Sequence, residues 1–114
     1  MKAEYRSLHL FRMLQEILHN TIKHAGAKQF SVEAWMEGPG LFIETSDDGR
    51  GFDLAVAQEK GGLGLQNILV RARMIGARME ITTSPGTGTC YSIQLPINED
   101  HTTHDSPHPG HPGR

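Results

Sequence analysis

Nowhere in the 114 residues is there an apolar run approaching the ~20 residues that a bilayer-crossing helix requires. The opening MKAEYRSLHLF also lacks the charged leader, apolar core and cleavage site of a secretory signal. Cysteine is nearly missing: Cys90 stands alone, which excludes an intramolecular disulfide framework and fits a reducing compartment. Charge of one sign is missing too. Eleven Lys and Arg against thirteen Asp and Glu give a net charge of −2 and a pI near 6.4, so no basic field points to nucleic acid or an anionic membrane. There is no internal repeat, no GxxxxGK[ST] phosphate loop and no GxGxxG dinucleotide fingerprint. What remains is enough chain, 37% hydrophobic, for one domain with one core, expected to be cytoplasmic, without membrane insertion of its own.

The central stretch is LHLFRMLQEILHNTIKHA, residues 8–25, which predicts a helix. At 3.6 residues per turn, Leu10, Phe11, Leu14, Ile17, Leu18, Thr21, Ile22 and Ala25 gather on one broad face, expected to be the core face. Glu16, Asn20 and Lys23, spaced i, i+4, i+7, project together from the other side. Gly26 is placed to stop the helix. Alternation over 29–36 predicts a strand burying Phe30, Val32, Ala34 and Met36, followed by an EGPG turn and a second strand over 41–46. Residues 53–61 have weak helical preference and read as a short mobile segment. A second helix follows over 65–75 with Leu65, Ile68, Leu69, Ala72 and Ile75 on one face, then strands over 79–84 and 89–95.

This order predicts an α+β fold, a two-layer sandwich with helices on one face of a mostly antiparallel mixed sheet. The expected division is a lead-in or stump over 1–7, one domain over 8–97 and a tail over 98–114. That tail has no large apolar residue, so it reads as disordered. Its histidines (His101, His104, His108, His111) sit among prolines and glycines that give no fixed metal geometry.

Three polar elements carry the chemistry. In DDGRG, an aspartate at a strand end accepts a hydrogen bond from a donor such as an exocyclic amine, while the glycines let a flat ligand approach the backbone. In GGLGL, backbone N–H groups ahead of a helix suit phosphate oxygens. On the first helix, Asn20 offers a neutral oxygen for magnesium, Glu16 a base, and Lys23 a point cation for phosphate, with His24 beside them.

Together these elements resemble, over residues 8–96, the catalytic ATP-binding domain of sensor histidine kinases. Its Bergerat-type fold is shared with type II topoisomerases, the heat-shock-90 chaperones and the mismatch-repair ATPases. QEILHNTIKHA resembles the N box, DDGRGF the G1 box, GLGL the G2 box and GTGTCYSIQLP the closing strand. The HAGA ending, short lid and GLGLQNILVRARMIGA are most similar to the nitrate and membrane-fluidity sensor subfamily.

The resemblance implies Mg2+ and ATP as ligands. Asp47 would bind the adenine amine, with Thr89 supporting it through water. Asn20 would ligate the metal, Lys23 and His24 would lie near phosphates, and Glu16 would activate the acceptor. Gly49, Gly51, Gly62, Leu63, Gly64 and Leu65 would shape the pocket and lid; Asn67 and Arg71 are further candidates for phosphate or lid contacts, or else plain surface. The implied partners are a histidine-containing dimerisation domain and, downstream, a response regulator. Residues 1–7 have no room for that acceptor hairpin, and His9 lacks its flanking acidic residue, so the chain is expected to be an excised or stand-alone module, monomeric as such. An anti-sigma-factor-type serine kinase and a nucleotide-free adaptor of the same fold are the alternatives.

Overall fold

The computed structural model describes residues 3–96. The chain runs α1 (Ala3–Asn20), a π-helical turn (Thr21–Ala25), β1 (Phe30–Glu37), β2 (Gly40–Asp47), α2 (Leu54–Lys60), a 3-10 turn (Gly62–Gly64), α3 (Leu65–Met74), β3 (Arg78–Thr83) and β4 (Thr89–Pro96). The strands lie in the order β1-β2-β4-β3, and all three pairings are antiparallel, so the sheet is more uniform than the mixed one expected. The histidine-rich stretch 98–114 lies outside the described residues.

The core is the layer between helices and sheet. Met13 and Ile17 of α1, Leu65, Ile68 and Ala72 of α3, and Ile43, Tyr91, Ile93 and Leu95 of the central strands are all buried, with Ile75 beside them. β4 alternates as its sequence dictates, Tyr91, Ile93 and Leu95 inward. α3 buries the stripe its periodicity announces, with Leu69 half-buried at the margin.

Three expectations are corrected. The helix begins at Ala3, so residues 3–7 are its first turns, and Arg6 donates to Pro96 O at 3.0 Å. The buried stripe of α1 is His9, Met13, Ile17 and Asn20, whereas Phe11 (56% exposed), Leu18 and Ile22 (68% exposed) face outward. The apolar arc is wider than one helix–sheet contact covers, and packing selects the half that also carries Asn20. On β1, Val32 (52% exposed), Ala34 and Met36 stay exposed instead of buried. β1 is the edge strand on the side of the sheet away from β3, against which α3 packs.

The segment expected to be mobile holds a short capped helix. Asp53 Oδ1 accepts from Val56 N–H at 3.1 Å at the start of α2, and Gly61 in the left-handed region closes it.

Candidate functional site

The site forms where the C-terminal end of α1, the end of β2 and the start of β4 converge under the Gly62–Gly64 turn. A cavity of about 190 Å³ opens there. Asp47 and Thr89 are cross-strand partners on one face of the sheet, which places carboxylate and hydroxyl together at its wall. One Asp47 oxygen accepts the Gly49 N–H at 2.8 Å. The other lies 3.5 Å from the Thr21 hydroxyl, whose proton is directed to Ile17 O at 3.1 Å. That second oxygen is therefore available to a ligand donor.

Thr89 is prepared in a similar way. Thr83 Oγ1 accepts from Phe52 N–H at 3.1 Å and donates to Gly88 O at 3.1 Å, so in the 2.9 Å contact with Thr89 it is Thr89 that donates. The remaining lone pairs of Thr89 are free for a bridging water. Gly51 seats this corner. Its φ is +64°, and a Cβ there would strike Ser84 O, so only glycine fits.

Asn20 lies 6% exposed beneath the turn. Its amide donates to Leu63 O at 2.7 Å and toward Tyr91 Oη at 3.4 Å, while Oδ1 is buried without a partner. A buried amide oxygen left unsatisfied is unfavourable by about 1–3 kcal/mol. A hard cation that takes oxygen donors while keeping waters and phosphate ligands relieves it, so this donor fits magnesium. Tyr91, 2% exposed, is a site residue the sequence reasoning missed, although the closing-strand pattern contained it. Burial pushes its hydroxyl above the ordinary range, which keeps it neutral as a partner for Asn20.

The turn above Asn20 divides two spaces. Leu63 lines the cavity and is the one non-glycine residue among those described with positive φ (64°), a conformation costing roughly 1–2 kcal/mol. On the other side, Gly64 backs directly onto the Glu16 carboxylate, and a Cβ there would collide with Glu16 Oε2. Glu16 does not line this cavity; it lines a second, polar groove of about 550 Å³ between α1 and α3. α3 follows Gly64 as its N-cap with no side-chain cap, although the N–H of its first residue, Leu65, donates to Gly62 O.

The remaining expected residues divide. His24 lines the cavity, but Lys23 is exposed and lines neither space. The π-helical turn at Thr21–Ala25 widens the last coil, so the 3.6-residue wheel misplaces Lys23. Gly49 acts through its N–H, Gly62 has nothing near it, and Leu65 is a fully buried core residue instead of a pocket wall. Arg71 donates to His9 Nδ1 at 2.8 Å, and Asn67 lies with it on the polar groove. Arg50, Phe52, Thr21 and Ala25 complete the cavity wall and had not been named as ligands. Asp48 is structural: backbone N–H groups of Gln29 and Lys28 hold its carboxyl below the usual carboxylate range.

A carboxylate and an orphan amide oxygen thus stand on the wall of one mostly apolar cavity. The sequence profile of the histidine kinase-, DNA gyrase B- and HSP90-like ATPases matches residues 5–99, and the chain belongs to this family. Within it the chain is a histidine kinase-type ATP-binding domain. It is 33% identical over 97 residues to the sensor protein VraS of Staphylococcus haemolyticus, covering 85% of this chain and 28% of that protein. It is 42% identical over 93 residues to a sensor-like histidine kinase of Chloroflexus aurantiacus, covering 77% of this chain and 16% of the other. The chain thus spans less than a third of the length of either relative.

Among solved structures, the histidine kinase domain of a blue-light activated histidine kinase from Erythrobacter litoralis superposes with a TM-score of 0.70 at 25% identity, covering 82% of this chain and 45% of that one. The histidine kinase AdeS of Acinetobacter baumannii superposes at 0.68 with 16% identity, over 80% of this chain and 47% of the other, a likeness of fold alone. Among the described residues no helix is long and apolar enough to cross a membrane.

Proposed function

We propose that this domain binds Mg-ATP and transfers its γ-phosphoryl group to a histidine on a separate dimerisation domain, from which a response regulator then receives it. The observation that carries the reading is that Asp47 and Asn20 line the same cavity, each with one oxygen uncommitted. Asp47 takes the adenine amine, with Thr89 supporting it through water. Asn20 Oδ1 would hold a magnesium ion, which would supply neutralisation of phosphate charge. His24 and the glycine-rich turn ahead of α3 face the phosphates. On the far side of the turn, Glu16 meets the acceptor. One imidazole nitrogen attacks phosphorus, the bond from phosphorus to the bridging oxygen breaks with its electron pair leaving on ADP, and the proton of the other ring nitrogen passes to Glu16. Since ATP and a response regulator both reside there, the domain works in the cytoplasm.

The finer kinship, to nitrate and membrane-fluidity sensors, rests on the HAGA ending, the short lid and GLGLQNILVRARMIGA. Calorimetric titration of Mg-ATP into the chain and into Asp47→Asn tests the site. The parent binds, and the variant loses on the order of 10- to 100-fold in affinity, the value of one hydrogen bond to a charged group. A folded parent that fails to bind at millimolar nucleotide sinks the reading. Acid lability of the transferred phosphate separates histidine from serine as acceptor.

A further inference from the structure

β1 is the longer of the two edge strands and the less protected. Its eight residues contain no Lys and no Pro, and its register with β2 runs without a bulge from Phe30 opposite Asp47 to Glu37 opposite Gly40. Lysine, proline and bulges are what ordinarily keep an edge from recruiting another strand. β3, the opposite edge, has six residues and opens on Arg78.

The backbone of β1 alternates in direction as its side chains do. Asp48 N–H donates to Gln29 O at 3.3 Å, so in this antiparallel ladder the odd-numbered residues bond to β2. The N–H and C=O groups of Val32, Ala34 and Met36 point the other way, where among the described residues no strand lies. On the helix side of the sheet the same three residues, opposite Thr45, Ile43 and Leu41, form an exposed apolar floor. α3 packs on β3 and on one flank of α1, so the other flank of α1, with Phe11 and Leu18 exposed, rises beside that floor. An open ladder, an apolar floor and an apolar wall thus occur together.

The charges of β1 say what fits there. Set antiparallel to itself with Ala34 opposite Ala34, the strand places Val32 against Met36 on the floor and Glu33 against Trp35 on the outer face, with Ser31 against Glu37. No carboxylate then faces a carboxylate. Slipping by one pair in either direction sets Glu33 against Glu33 or Glu33 against Glu37, and like charges directly opposite are unfavourable. The strand therefore specifies one register with itself.

We propose that β1 pairs antiparallel with β1 of a second copy of this chain about a two-fold axis at Ala34, joining two four-stranded sheets into one continuous sheet. The two floors merge, and the α1 flanks bearing Phe11 and Leu18 face each other across them. No residue of β1 lines the nucleotide cavity, so both cavities stay open and the pairing is independent of what they bind.

Sedimentation equilibrium of the whole chain tests the pairing. The mass rises from 12.6 kDa toward twice that value by about 1 mM chain, as suits a small interface. At that concentration the Val32 and Met36 amides exchange at least about tenfold more slowly than in dilute chain, because only an occupied edge protects them. Ala34 is exposed, so Ala34→Lys and Ala34→Glu fold, which circular dichroism verifies. Each variant alone sets like charges on the axis and stays at 12.6 kDa, and an equimolar mixture of the two recovers the doubled mass. A folded parent that keeps the single-chain mass at millimolar concentration overturns the proposal. So does a dimer whose Val32 and Met36 amides exchange freely, an Ala34→Lys chain that dimerises as well as the parent, or a mixture that stays monomeric.

Discussion

The two spaces that meet at the Leu63–Gly64 turn are built in opposite ways. The nucleotide cavity is small, mostly apolar, and has its polar atoms positioned before any ligand arrives: Asp47 by Gly49, Thr89 by Thr83, Asn20 by Leu63 and Tyr91. The groove beyond Gly64 is nearly three times larger, polar, and lined by long side chains with few mutual bonds. A rigid aromatic base is recognised by a preorganised site at little ordering cost. A protein acceptor that must arrive, react and leave is better served by an open, solvated surface whose ion pairs are individually weak. One glycine-bounded turn keeps the two spaces adjacent and separate.

The sharpest way to break this comparison is Glu16→Gln. Phosphoryl transfer to a histidine-bearing helix supplied in trans falls by roughly 10²–10⁴, the usual contribution of a general base, while calorimetric affinity for Mg-ATP stays within about twofold because Glu16 lies on the other side of the turn. If nucleotide affinity falls as far as it does in Asp47→Asn, the two spaces act as one.

The dividing turn itself is probed by a pair of glycines. Gly64→Ala brings a methyl against Glu16 at φ +61° and destabilises the fold by about 1–2 kcal/mol, whereas Gly62→Ala, with nothing within 4 Å, stays within about 0.5 kcal/mol in urea denaturation. Equal effects would mean that the close approach of Gly64 to Glu16 does not hold in solution.

The smallest effect concerns the base of the cavity. Tyr91→Phe removes the long contact to Asn20 and costs about 0.5–1 kcal/mol. It also changes the alkaline limb. Burial raises the folded pKa of Tyr91 above its ordinary 10.0, so its contribution is present below that pH and is lost as pH rises through the shifted value. Denaturation midpoints measured across that range fall less steeply for the Phe variant, and parallel slopes would refute the assignment.

Much of this was legible in the chain. The element order, the inward stripe of β4 and the aspartate of DDGRG followed from alternation and strand–glycine spacing, because a period of two and a glycine-bounded strand end are local properties. The packed face of α1 was not legible. Its apolar arc includes Phe11, Leu18 and Ile22 as plausibly as Met13 and Ile17, and only the position of the sheet selects between them. Lys23 fell away from the site for a related reason: a single π-helical coil breaks the period on which a helical wheel depends. Val32 and Met36 look like core residues until β1 is known to be the edge strand far from β3, the strand on which α3 packs.

By itself, the sequence determined which groups exist and how they are spaced along each element: the helix with Glu16 and Asn20 one turn apart, Asp47 at a strand end, and the glycines that permit close approach. The tertiary structure alone decided which oxygens are left free, that Tyr91 supports Asn20, and that Glu16 and Asp47 open onto different spaces. Periodicity is a property of neighbours in the chain, whereas hydrogen-bond commitment and burial depend on partners brought together from 43 and 71 residues away, as Leu63 and Tyr91 are to Asn20.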